Sequence, residues 1–156
     1  MNKPLHPVAA PAEESPVYDD DGYGWSVAQA ALIRAKRFDA IDWDNVAEEI
    51  ESVGRGEQSG AESALRVLMA HILKWQHQPE RRGRSWALSI AEQRLRYDDR
   101  MSENPSLQPR RDEMRRKAFR RARIEAAREM DVDLKTLPTT PPSWETILDE
   151  PFEFEA

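Results

Sequence analysis

The 156-residue chain contains no cysteine. That absence removes disulfides, thiolate metal ligands and thiol nucleophiles together. No apolar run approaches the roughly 20 residues that a bilayer-spanning helix requires. The opening MNKPLHPVAAPAEESP carries prolines and acids where a secretory leader needs an apolar stretch, so a cytoplasmic location and no membrane contact are expected. No segment alternates apolar and polar residues with the period of two that marks a half-buried strand, and the expected fold is all-α. The chain also lacks a phosphate-cradling glycine loop, a serine nucleophile elbow and a nucleotide fingerprint. No reaction can be assigned on that basis, and no cofactor is expected.

What remains is a heavily charged chain with enough apolar content to fold: 33% charged and 39% hydrophobic residues at a mean hydropathy of -0.80. The length suits one domain. Prolines at 4, 7, 11 and 16 mark residues 1–17 as a disordered arm, leaving 18–156 as a single helical domain. The net charge of -6 conceals segregation. Residues 1–58 carry 5 basic and 12 acidic side chains, residues 81–128 carry 15 and 7, and residues 129–156 carry 1 and 8. The basic middle is either a nucleic-acid face or is neutralised by the acidic ends folding over it.

Periodicity places four main helices. Ser26 with Gln29 three residues later reads as a capping box for a helix to about Arg37. A second helix begins near Asp42 or Asp44. Its apolar positions Val46, Ile50, Val53, Ala61, Ala64, Leu68, Ile72 and Trp75 keep helical phase, which favours one long helix over a break at Gly54, Gly56 and Gly60. Pro79 ends it, and Ser85 is expected to cap a third helix from Trp86 to about Ser102. That helix is apolar on two sides: Trp86, Ile90, Tyr97 and Met101 on one, Leu88, Ala91 and Leu95 on the other. Its second strip implies a further neighbour, and a homodimer is one expectation. A fourth helix runs from about Leu107 or Pro109 to Met130, and a short C-terminal helix is anchored by Trp144, Ile147 and Leu148 after Ser143. The expected architecture is a compact bundle of four main helices plus that short one.

Three chemistries are weighed on this frame. Within HILKWQHQPERRGRSW, His71 and His77 lie about 120° apart on a continuous helix, and no carboxylate precedes either by three residues, so no metal site is expected. The run Asp19 to Asp21 offers a calcium loop its glycine at Gly24, but Ala30 stands where the bidentate carboxylate belongs. Glu48, Glu49 and Glu51 could serve carboxylate catalysis, although acid-rich helix faces are usually solvated or paired. A carboxylate- or metal-dependent hydrolase is therefore the third expectation. Arg81, Arg82 and Arg84 between Trp75 and Trp86 suit a single strand held by phosphate contact and base stacking, and Arg116, Arg120 and Arg121 could extend that surface. The sequence pI of 5.2 and the absence of a known nucleic-acid signature oppose it. Arg111 and Arg115 project toward the apolar arc of the fourth helix and need partners there.

The blocks YDDDGYGW, FDAIDWDNVAEEIESVGR, AHILKWQHQPERRGRSW, NPSL and TILDEPF resemble, in this order, those of a bacterial family known as domain of unknown function twenty-nine, over roughly residues 18–152. The resemblance implies a small all-helical domain and brings no established activity. Gly22 and Gly24 depart from the bulkier residues common at those positions. Matching positions include Asp19, Asp21, Glu48, Glu49 and Arg84, which with Arg111 and Arg115 form a candidate buried charge cluster. The expected role is a protein-interaction or regulatory module with a protein partner of unknown identity; the alternative is a nucleic-acid binder using Arg81, Arg82, Arg84, Arg116, Arg120 and Arg121.

Overall fold

The computed structural model describes residues 16–154. Apart from its last two residues, the expected arm 1–17 lies outside them. Among the described residues the protein is all-α, with four main helices, α1 (Gly22–Arg34), α2 (Trp43–His77), α3 (Arg84–Glu103) and α4 (Arg111–Met130), and the short α5 (Trp144–Leu148). The chain groups into two units that divide after Ser52.

In the first unit, α1 starts five residues earlier than Ser26 would place it. Asp21 is the cap, and its carboxylate accepts from the Gly24 amide at 2.9 Å. Ser26 sits inside the first turns and donates to the Tyr23 carbonyl. The helix closes on Lys36 in the left-handed region, at φ 57°. There the Arg37 amide returns to Leu32 O at 2.9 Å and the Lys36 amide to Ile33 O at 3.0 Å, the double closure that normally recruits glycine. The small core holds Trp25, Gln29 and Ile41, all buried, around Asp42. The Asp42 amide donates to Gln29 Oε1 at 2.9 Å, and its carboxylate accepts from Trp25 Nε1 at 3.1 Å and Asn45 Nδ2 at 2.7 Å. The hydrogen bond from Asn45 leads in holding the Asp42 carboxyl below its ordinary value.

In the second unit α2 continues without interruption past Gly54, Gly56 and Gly60 to His77, as its apolar phase implied. Gly60 has a local reason, since an added Cβ would press on the Arg100 guanidinium at 3.2 Å where Arg100 reaches Glu57 at 2.6 Å. Nothing lies near Gly54 or Gly56. Cross-helix pairs define the packing directions. Glu62 meets Lys117 at 2.7 Å, Arg66 meets Glu125, and Lys74 meets Glu129 at 2.6 Å, so α4 runs parallel to α2. Arg100 on Glu57 together with Lys74 over the Trp86 ring sets α3 antiparallel. The core gathers Leu65, Leu68, Met69, Ile72 and Leu73 of α2, Ile90, Tyr97 and Met101 of α3, Met114, Phe119 and Ala122 of α4, and Ile147 and Phe152 of the C-terminal segment.

Two further starts differ from expectation. α3 begins at Arg84 after an extended Gly83 that offers no side-chain cap, which leaves Ser85 inside the helix. α4 begins at Arg111 after a 3-10 segment, Pro105–Arg110. Gly24→Ala would set a Cβ against the Asp21 carboxylate, and we expect it to destabilise by about 1 kcal/mol through loss of the cap. Lys36→Gly should stabilise by about 1 kcal/mol by relieving the left-handed backbone. Urea unfolding of the two variants checks the opposite signs.

Candidate interaction surfaces

The arginines expected to act together are all exposed and fall into two groups. Arg82 is exposed but held against α2: its Nε donates to the Trp75 carbonyl at 2.7 Å and its guanidinium lies 5.3 Å from the Trp75 ring centroid. Trp75 is itself core, edge-on to Phe152 at 5.9 Å. Arg81 is exposed in the turn before α3, Arg84 is exposed at the first residue of that helix, and Arg116, Arg120 and Arg121 are exposed on α4. Gln78 Nε2 donates to the Met130 carbonyl at 3.3 Å, which fixes that turn at the C-terminal end of α4. The three α4 arginines lie about 13–21 Å back along the same helix.

On α4 the outward face is nevertheless continuous. With about 100° per residue, Arg116, Arg120, Ile124, Lys117, Arg128 and Arg121 fall on one half of the helix, and Ile124 is exposed. Lys117 is held by Glu62. Among the described residues no carboxylate pairs with Arg116, Arg120, Arg121 or Arg128.

Of the seven residues proposed as a buried charge cluster, Asp19, Asp21, Glu48, Glu49 and Arg84 are exposed, and only Arg111 and Arg115 are half-buried. Asp21 is the helix cap already described. Glu49 accepts from Tyr18 Oη at 2.6 Å, which raises the phenol above its ordinary value. Arg111 and Arg115 stack on the Trp144 ring, at 4.1 and 5.0 Å from its centroid. Arg115 also donates to the Pro142 carbonyl at 3.3 Å and lies 3.4 Å from Asp112. Trp144 stacks on Tyr97 at 5.9 Å and gives its indole N–H to Asp112 Oδ1 at 2.8 Å. An aromatic face thus compensates two half-buried guanidinium groups, a solution that a search for carboxylates overlooks.

Arg94 is the other unanticipated residue. Its guanidinium donates to the carbonyls of Ile147, Thr146 and Glu150 at 2.8, 3.1 and 2.7 Å, satisfying the free carbonyls at the end of α5. Desolvation lowers its pKa from the ordinary value, opposed by Asp149 and Glu150. Beside it, Leu95, Tyr97, Met101 and Leu148 line a groove of about 670 Å³.

His71 and His77 each bond through Nδ1 to the carbonyl four residues back, Val67 and Leu73, both at 2.9 Å. Among the described residues no group of three His, Asp or Glu side chains could hold a metal ion, and no helix is long and apolar enough to cross a membrane. The second strip of α3 faces outward: Leu88 is 61% and Leu95 66% exposed, with Ser85, Ser89 and Ala91 around a shallow concavity of about 730 Å³.

These features define an all-α protein that spends several arginines and tryptophans on internal packing, with outward faces on α3 and α4. The chain belongs to the DUF29 family, described as a domain of unknown function, whose model matches residues 17–153. No curated protein and no solved structure matches it.

Trp144→Ala should destabilise by about 3 kcal/mol, because it opens a cavity and strands two guanidinium groups. Trp144→Phe should keep the stack and lose the hydrogen bond that leads in holding Asp112 below its ordinary value of 3.8. A lowered carboxylate stabilises the fold above its unfolded value, and that stabilisation is lost as pH falls through the folded value. Acid unfolding of Trp144→Phe, followed by near-ultraviolet circular dichroism, should therefore begin at higher pH than in the parent.

Proposed function

We propose that the protein is a helical protein-interaction or regulatory module that meets its partner through the outward strip of α3. The observation that carries this reading is the exposure of Leu88 and Leu95 on a helix whose opposite side, Ile90, Tyr97 and Met101, is already buried. Water around such a strip is released when a partner covers it, and contiguous exposed apolar patches mark interaction sites. The flanking Ser85, Ser89 and Glu92 supply the polar rim that interfaces of this kind carry.

A second reading, nucleic-acid binding, draws support from the basic face of α4 around Arg116, Arg120 and Arg121. Arg81 in the turn before α3 and Arg84 at its first residue add two further exposed cations. Arg82 is less suited to it, being occupied by Trp75.

Two triage variants separate these readings. Leu88→Lys/Leu95→Lys should abolish enrichment of a protein partner from cell extract, while Arg116→Glu/Arg120→Glu/Arg121→Glu should leave that enrichment unchanged. Fluorescence anisotropy with single-stranded RNA and duplex DNA at several salt concentrations should then give no binding. A binding constant whose logarithm falls linearly with log salt, and which the α4 variant removes, would replace the first reading with the second.

A further inference from the structure

The α3 strip is more than two exposed leucines. Arg84, Leu88, Ala91, Leu95 and Asp98 follow spacings of four, three, four and three residues, the a/d rhythm of a helix seam. At about 100° per residue they fall within about 80° of one another. The order along the seam is a cation, an apolar centre and an anion. Arg84 and Asp98 are both exposed, and among the described residues neither has an ion-pair partner. They stand about 21 Å apart along the helix axis.

We propose that the occupant of this strip is a second copy of the same chain, docked with its α3 antiparallel to the first. The proposal rests on the protein-interaction reading above and names its partner. The seam complements itself only in that orientation. A two-fold axis near Ala91 brings each Leu88 beside the other copy's Leu95, and each Arg84 beside the other copy's Asp98. Parallel docking would instead oppose Arg84 to Arg84 and Asp98 to Asp98, which is repulsive. The small Ala91 at the axis lets the two backbones approach where a larger side chain would hold them apart. Such a face is isologous: one patch serves both copies, and the contact closes at two chains rather than growing into a fibre. The Glu92–Arg96 pair at 2.7 Å is already satisfied within α3 and flanks the seam without competing for Arg84 or Asp98.

Sedimentation equilibrium of the full chain at low ionic strength tests this. The weight-average mass should rise with concentration from 18.0 kDa toward twice that value, and Leu88→Lys/Leu95→Lys should remain monomeric throughout. Arg84→Glu alone and Asp98→Arg alone should each weaken association by about tenfold, since each introduces two like-charge contacts. The double exchange Arg84→Glu/Asp98→Arg should recover association close to the parent's. All the substituted positions are exposed, and far-ultraviolet circular dichroism verifies that each variant is folded. A parent chain that stays monomeric, or a double exchange that fails to recover, overturns the antiparallel dimer. If a monomeric parent still captures another protein through Leu88 and Leu95, the dimer fails and the interaction reading stands. If the capture is also absent, both fail.

Discussion

Burial of α2 between Ala61 and Trp75 is the constraint on which the second unit depends. From Leu68 to Trp75 every residue except His71 is buried, so this stretch has no solvent face of its own and needs neighbours on every side. α3 supplies one antiparallel, α4 a second in parallel, and the C-terminal segment closes the remainder with Ile147 and Phe152. Lys74 shows how strictly that demand operates. A buried ammonium group is costly, and here its Nζ reaches Glu129 at 2.6 Å while lying 4.8 Å from the Trp86 ring centroid. The apolar stem contributes to the core while the charge is answered at its edge.

The basic middle of the chain takes on a different meaning in this frame. Several of its arginines act as internal fasteners, and backbone carbonyls and aromatic rings, as much as carboxylates, receive them. Arg94 closes the end of α5, and Arg123 reaches the carbonyls of Leu134 and Leu137 at 3.1 and 3.3 Å. Arg82 binds the end of α2, and Arg111 with Arg115 clasps Trp144. Guanidinium suits these tasks because it is planar, stays charged and presents several donors at fixed angles. The segment's excess of 15 basic over 7 acidic residues therefore overstates the charge free for a partner. The outward cations are chiefly Arg81 and Arg84 at one end and Arg116, Arg120, Arg121 and Arg128 on α4.

Much of the architecture was legible in the sequence because apolar phase is a strong, repeated signal. The eight apolar positions from Val46 to Trp75 implied a helix that three glycines do not break, and the two-sided pattern of α3 marked a second apolar strip, expected against a further neighbour and left exposed in this chain. Helix starts were less legible. Ser26 and Asp21 are both good capping residues, and only the approach of the Gly24 amide decides between them. At α3 the cap position belongs to Gly83, which has no side chain to betray it. The counterparts of Arg111 and Arg115 were hidden for another reason. Beyond Asp112 next to Arg115, cation–π contact leaves no charge complement to find, and Trp144 lies some thirty residues away, beyond any helical periodicity.

Native-state hydrogen exchange along α2 tests the central claim most directly. If the enclosure of residues 61–75 organises the second unit, their amides should be the slowest in the protein and should exchange only through global unfolding. Amides between Trp43 and Gly56, where Ile50 and Val53 are exposed and glycines loosen the helix, should exchange faster by local opening. Uniform protection along the whole helix, or faster exchange in 61–75 than in 43–56, would contradict the account.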